Sequence, residues 1–448
     1  MKRFIDYFLL EWKNNPNHKP LLLRGARQVG KTHAARELGK TFLNFIEINI
    51  ETDLQARKIL EQDLDLERII LQLSELLQKK IIPGTTLLFI DEIQQSPQAI
   101  TALRYFYEKM PQLHVIAAGS LLDFALEQIS VPVGRVSFLY MYPLSFLEFL
   151  AALGHASWIE AILTYTPENP MSKSLQEKLI SILSQYSAIG GMPDAVNEWI
   201  KTQSSRSVKT VHSHLLETYQ ADFGKYSKKY QIKYVELIFL KAMEQLSRKF
   251  IFSHVGEYQK RELSPSLDLL EKAGLLYPVI KSDGQGIPLG AYAEADDFKL
   301  IFLDIGLSQK LLGLDIASWI IGPLDSFYNK GEIIEAFIGQ ELLAYSDPIS
   351  KEKLYYWRKD SRGSSAEVDY LIQIKDQAIP IEVKAGTSKR IKSMHLFLDS
   401  HSKSSYGLRF WTGDYAKEER IISFPLFALA KPLADNHPEV KAALLNLM

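Results

Sequence analysis

The segment Gly25-Ala26-Arg27-Gln28-Val29-Gly30-Lys31-Thr32 constrains this chain more than any other, because it matches G-x-x-x-x-G-K-S/T at every defined position. It follows the apolar run Leu21–Arg24 and precedes the run THAARELGK, so the pattern predicts strand, glycine turn and helix in that order. Glycines let successive backbone N–H groups wrap a phosphate, and a helix N-terminus adds positive partial charge. All eight residues are therefore candidates for nucleotide binding. Within such a loop Lys31 reaches the β- and γ-phosphates, and the Thr32 hydroxyl ligates Mg²⁺.

A second signal couples to the first. Leu87-Leu88-Phe89-Ile90-Asp91-Glu92 is a buried-strand run that ends in two carboxylates. Asp91 is expected to hold magnesium through water, and Glu92 to polarise the attacking water as general base. Ser120 follows the run HVIAAGS, where a polar side chain reaches the same water; as an N-cap for LLDFALEQI it would be structural instead. Arg135 offers a cation for transition-state charge, in cis or from a neighbouring subunit, or is a plain surface arginine.

Around these motifs, Leu21–Arg24, Phe42–Ile48, Thr86–Ile90, Val115–Ala118 and Ser137–Met141 read as strands. Helical stretches near 32–40, 53–80 and 96–109 alternate with them, which predicts a parallel sheet wound with helices. Tyr165–Lys173 reads as a linker, and residues 174–275 are mostly helical. Ser264-Pro265 then opens a helix that Gly274 closes. Leu276–Ile280 and Ile287–Tyr292 around the turn Ser282–Gly286 predict a hairpin, and helices followed by a hairpin are the pattern of a winged-helix unit. Asp268 and Glu271 on its candidate recognition helix would be repelled by phosphates, which points to protein docking or an ATPase lid rather than DNA, with docking favoured. Beyond residue 326 come a helix at Lys330–Ala344 and strands at Leu354–Trp357, Ala366–Ile374, Ile379–Lys384 and Gly407–Trp411. The fold class is multidomain α/β, divided at 1–155, 174–310 and 326–448.

The length of 448 residues fits about three domains. With 52 Lys plus Arg against 53 Asp plus Glu, no global field draws the chain to nucleic acid or an anionic membrane. The absence of cysteine excludes thiolate catalysis and Cys-ligated metal, and fits a cytoplasmic setting. Asp6 and Glu11 interrupt the apolar N-terminus, so it does not read as a signal peptide. The longest uncharged apolar run, Val136–Leu147, falls short of the roughly 20 residues of a membrane span, and no membrane partner is expected.

These segments resemble prokaryotic AAA-family ATPases that carry a C-terminal domain of unknown function. The resemblance rests on LLLRGARQVGKT, LLFIDEIQ, AAGSLL, YPLSFLEFL, IGGMPDAV, LDLLEKAGLL, FKLIFLDIGL, EVDYLI and IPIEVKAG, in chain order. It implies an AAA+-like P-loop NTPase core that binds ATP, a helical and winged-helix middle, and a C-terminal fold like PD-(D/E)XK nucleases. Gly190-Gly191-Met192-Pro193 is expected to form a rigid turn near the nucleotide, without a catalytic role.

In the C-terminal part, Asp369 lies thirteen positions before Glu382, a workable separation for a hairpin. Alternate residues of a strand share a face, so Glu382 and Lys384 point together. Two such carboxylates would bind Mg²⁺ or Mn²⁺ while Lys384 orients a water, with Glu335 as the upstream acid that the resemblance implies. Val-Asp stands where that fold often has Pro-Asp. The same charges would equally serve a nuclease-like fold kept as a binding or regulatory module. Trp357-Arg358, Arg362-Gly363, Lys260-Arg261 and the mixed run Lys225–Lys233 are candidate DNA contacts or solvated surface. His212 and His214 lie on different helix faces, so no zinc is assigned. The function expected is a Mg²⁺-dependent ATPase whose nucleotide state controls a C-terminal module that cleaves or binds DNA. The alternative is a non-cutting switch that binds a protein partner, and an arginine acting in trans would add self-association.

Overall fold

Two sheets organise the chain in a computed structural model that describes residues 1–119, 122–128, 134–227, 231–322, 327, 329–361, 364–386 and 391–448. The first comprises β1 (Leu21–Arg24), β2 (Asn44–Asn49), β3 (Thr86–Asp91), β4 (His114–Ala118) and β5 (Ser137–Tyr140). All pair in parallel, in the order β2-β3-β4-β1-β5. β3 and β4 are buried along their whole length, as a parallel sheet with helices on both faces requires. The stretch expected as one helix over 53–80 is two, Leu54–Gln62 and Leu66–Leu77, because Asp65 caps the second by accepting from Glu67 N at 3.1 Å.

The second sheet holds β6 (Leu276–Ser282), β7 (Ala293–Phe302), β8 (Leu354–Ser361), β9 (Ser364–Ile374), β10 (Gln377–Lys384), β11 (Gly407–Trp411), β12 (Ala416–Glu418) and β13 (Ile421–Pro425). Its order is β12-β13-β11-β10-β9-β8-β6-β7. The hairpin expected as a wing is thus not free: β6 runs parallel to β8, with Val279 opposite Leu354. Residues Leu289–Tyr292 form a 3₁₀ turn rather than a strand, and the returning strand begins at Ala293. An apolar strand such as LYPVI leaves a row of unpaired backbone groups unless a neighbour covers it, and β8 does so. The helix before it starts at Lys260, where the Glu262 carboxylate accepts from Gln259 N at 2.8 Å, so Pro265 lies inside the helix instead of at its entry.

The helix Gly331–Ala344 joins the two sheets and is buried over most of its length. Its Glu341 accepts from Phe146 N at 2.9 and 3.1 Å and from the Tyr186 hydroxyl at 3.2 Å. Phe146 opens the helix Phe146–Ala152, so Glu341 satisfies an otherwise orphaned N–H at a positive helix end. Burial nevertheless pushes the Glu341 carboxyl up to about 8. Between the unfolded value and 8 the folded chain binds the extra proton, so stability is full at acid pH and declines as pH rises through 8. Glu341→Gln keeps an oxygen for Phe146 N and is expected to remove part of the alkaline fall in melting temperature between pH 6 and 9. An undiminished fall would contradict this. Among the described residues, no helix is long and apolar enough to cross a membrane.

Candidate functional site

Both nucleotide motifs emerge at the carboxyl edge of the first sheet, on β1 and β3, with β4 between them. β1 ends at Arg24, and the turn Gly25–Gly30 leads into the helix Lys31–Gly39. Gly25 has φ +143°, and a Cβ on it would lie 2.1 Å from the Met141 carbonyl oxygen, so no side chain fits. Gln28 and Gly30 also take positive φ, which turns the loop tightly over the helix N-terminus.

Lys31 is buried and donates to the carbonyls of Gly25 at 2.9 Å and Ala26 at 2.7 Å. Burial lowers its ammonium to about 8, while Glu92 and Asp91 pull the other way. Thr32 Oγ1 donates to Asp91 Oδ2 at 2.8 Å, which joins the two motifs directly. Desolvation raises the Asp91 carboxyl, against the hydrogen bonds from Thr32 and Glu92 N. A hydroxyl and a carboxylate side by side at a helix N-terminus are hard oxygen donors and fit Mg²⁺, which keeps waters and phosphate oxygens as its remaining ligands. Glu92 takes φ +52°, and the Gln94 side-chain amide donates to its carboxylate.

Two further groups brace the loop. Arg3 is buried and donates to Val29 O at 2.8 Å, Tyr142 O at 2.7 Å and Glu148 Oε1 at 2.8 Å. Glu148 also accepts from Ser145 N at 2.7 Å, in the capping box of the helix Phe146–Ala152. Arg27 pairs with Asp222 of the helix Ser205–Tyr226, and Tyr219 of that helix donates to Arg27 O at 2.8 Å. Nothing local in the sequence marks Arg3 or Asp222, since their partners lie more than 100 positions away or across a loop.

Ser120 lies outside the described residues. Arg135 sits beside the amino end of β1, because Ser137 faces Leu21 and Tyr140 faces Arg24. The loop begins beyond the opposite end of that strand, roughly 13 Å away at ~3.3 Å per residue. A cis role for Arg135 is thereby corrected, and its Nε lies 3.3 Å from Glu108 Oε1 at the surface. Gly190–Pro193 forms a turn held by Asp304, whose Oδ2 accepts from Gly191 N at 2.6 Å.

In the second sheet the register of β9 and β10 sets Tyr370 opposite Ile381, which brings Asp369 opposite Glu382. Glu335 projects from the helix Gly331–Ala344 toward the same cluster. A fifth group, absent from the sequence reading, fills it. Lys299 of β7 is 1 % exposed, lies 2.9 Å from Glu335 and pairs with Glu367. Lys384 pairs with Glu382, and Asp369 accepts from Val383 N at 2.7 Å. The four carboxylates outnumber the two ammoniums, so burial pushes Glu335 up to about 8 and Glu382 up to about 7, and raises Asp369.

The carboxylates expected to hold Mg²⁺ or Mn²⁺, Asp369, Glu382 and Glu335, thus share one cluster with two lysines. Among the described residues, no three histidine or carboxylate side chains converge closely enough to hold an ion. Lys384 contacts one Glu382 oxygen, and the other, Oε2, is buried without a hydrogen-bond partner among the described residues. One lysine inside the apolar run FKLIFLD was the sequence signal for Lys299.

Of the candidate DNA contacts, Trp357 is buried edge-on against Phe397, Lys225 pairs with Asp222 at 2.9 Å, and Lys260 pairs with Asp296. Arg362, Gly363 and residues 228–230 lie outside the described residues. His212 is buried, with Nε2 2.8 Å from Ile189 O.

Residues 17–150 match a family model described as AAA domain. Residues 180–318 and 330–428 match two models described as domains of unknown function, DUF8612 and DUF4143. No curated protein matches the chain. Among solved structures, C. elegans PCH-2 is similar at 13% identity and TM-score 0.29, covering 46% of this chain; this chain spans 66% of the PCH-2 chain. The Thermotoga maritima RuvB Holliday junction branch migration motor is similar at 14% identity and TM-score 0.26, covering 58% of this chain and 82% of its own.

Proposed function

We propose, from an AAA-type P-loop ATPase domain at residues 17–150, that this chain hydrolyses ATP and that its C-terminal sheet reads the nucleotide state without cutting nucleic acid. The observation that carries the first part is the contact of Thr32 with Asp91 beside Lys31 and Glu92. Backbone N–H groups of Gly25–Thr32 bind the polyphosphate, and Lys31 holds the β- and γ-phosphates. Glu92 accepts a proton from the water whose oxygen bonds to the γ-phosphorus, and the bridging P–O bond breaks to leave ADP and inorganic phosphate. Gln94 orients the Glu92 carboxylate. Mg²⁺ at Thr32 and Asp91 supplies neutralisation of the phosphate charge when bound. Arg135 acts, in this reading, only on the site of a neighbouring copy.

For the second part, a contiguous set of buried contacts supports the reading. It runs from Val29 through Arg3, Glu148 and the helix Phe146–Ala152 to Glu341, on the helix that carries Glu335. The cluster that Lys299 neutralises then acts as a structural joint between β7, β9 and that helix, and its partner is a protein. DNA cleavage is the second reading, favoured by the register that faces Asp369 with Glu382.

The test uses Glu92→Gln in the full chain. Hydrolysis should fall by about 10²–10⁴-fold with ATP binding retained, as expected for loss of a general base, and captured partners should depend on nucleotide. Wild-type chain with duplex or branched DNA and Mg²⁺ or Mn²⁺ should give no cleavage. Cleavage lost in Glu382→Ala would establish the second reading instead, and unaltered hydrolysis in Glu92→Gln would remove Glu92 from its role.

A further inference from the structure

The loop that receives the phosphates is also held from outside the AAA domain. Arg27, third in the turn, pairs with Asp222, which is buried near the carboxyl end of the 22-residue helix Ser205–Tyr226. The hydroxyl of Tyr219, one turn earlier, donates to Arg27 O at 2.8 Å, so backbone and side chain of one loop residue grip one helix face. Lys225 lies 2.9 Å from the other Asp222 oxygen, which leaves this carboxylate neutralised with or without Arg27.

The Arg27 guanidinium remains about one third exposed beside Asp222, so it is accessible to a second anion. The Arg27 Cα belongs to the turn whose backbone N–H groups would wrap the phosphates, so the guanidinium is tethered within one side-chain length of them. A nucleotide polyphosphate carries several negative charges and accepts bidentate hydrogen bonds from arginine at least as well as one carboxylate does. Asp222 and the phosphates are competitors for one cation.

We infer that Arg27 and Asp222 form a latch that nucleotide opens. Without nucleotide, Asp222 holds Arg27 and ties the Ser205–Tyr226 helix to the loop. With nucleotide, the phosphates take Arg27, Asp222 keeps Lys225, and the carboxyl end of the helix loosens. The same helix packs on the helix Ile305–Leu311, which Asp304 caps while also holding Gly191. Nucleotide occupancy thus reaches the middle region by a route separate from Arg3 and Glu148. This inference rests on the ATP-binding reading above and adds how its site is regulated.

By linkage, whatever nucleotide does to the latch, breaking the latch does in reverse to nucleotide affinity. The experiment measures ADP and ATP affinity by calorimetry for the full wild-type chain, Asp222→Asn and Arg27→Gln. Hydrogen exchange is followed over residues 215–227 with and without ADP. In wild type, ADP should speed exchange over that segment. Asp222→Asn should bind nucleotide about 5–10-fold more tightly, at the low end of typical coupling factors, and exchange fast without it. Arg27→Gln should bind more weakly, with exchange fast in both states. Wild-type chain that binds nucleotide with unchanged exchange, or an unaltered affinity in Asp222→Asn, overturns the latch alone. Wild-type chain that binds no nucleotide overturns the underlying reading and the latch with it.

Discussion

Lys31→Ala is expected to lower kcat/KM for ATP hydrolysis by at least about 10²-fold, the usual loss when one preorganised donor to developing phosphate charge is removed. The same change should leave the nucleotide-free chain as stable as before, or slightly more so. Lys31 is 7 % exposed, and among the described residues its ammonium donates to the Gly25 and Ala26 carbonyls. Its folded value near 8 lies below the ordinary 10.5, so folding disfavours the charged form. That cost is greatest at low pH and fades as pH rises through the unfolded value. A group that destabilises the empty loop while binding phosphate is the pattern of a site selected for function. In wild type, kcat/KM should fall as pH rises past about 8, where the free lysine loses its proton. Steady-state phosphate release across pH, with thermal melting of both proteins, checks these outcomes. A large loss of melting temperature in Lys31→Ala would mean that the residue is structural.

Lys299→Met should have the largest effect on stability, about 3–5 kcal/mol, because it removes one partner of a buried ion pair and strands the other. Lys299 is 1 % exposed, lies 2.9 Å from Glu335 and pairs with Glu367. It also lies 4.9 Å from the centroid of the Tyr356 ring. Without it, Glu335 and Asp369 share a buried site in which Lys384 still acts on Asp369. Those carboxyls already have raised values, so lowering the pH neutralises them and relieves the loss. The destabilisation should be large at pH 8 and smaller at pH 5.5, read from denaturant midpoints. Adding Glu335→Gln should restore part of it, which a double-mutant cycle measures. A midpoint unchanged at pH 8 would show that the cluster does not tie β7 to β9 and the helix Gly331–Ala344 energetically.

Much of the ATP site was legible because its signals are local. Gly25, Gly30, Lys31 and Thr32 act through backbone conformation and a helix N-terminus over eight consecutive positions, and Asp91 acts at the end of one apolar strand. The antiparallel β9–β10 hairpin was legible for the same reason: alternation and a short turn bring Asp369 to Glu382 within one supersecondary unit. The strands of the first sheet were expected within about two residues of where they lie, since each carries its own apolar run.

What escaped depends on pairings between distant segments. The run Leu276–Ile280 has the same local pattern whether it forms a free wing or a sheet strand. Only the parallel partner at Leu354, 75 positions on, decides between them. That pairing carries Lys299 into the acid cluster and sets a second ammonium among its four carboxylates. Arg3, Asp222 and Glu341 likewise take their roles from partners far along the chain. The sequence by itself determined where the proposed phosphate-binding loop lies and which residues compose it, because short-range backbone geometry encodes such a motif. The tertiary structure alone decided which charges are buried together, because burial and pairing arise only when separate elements pack.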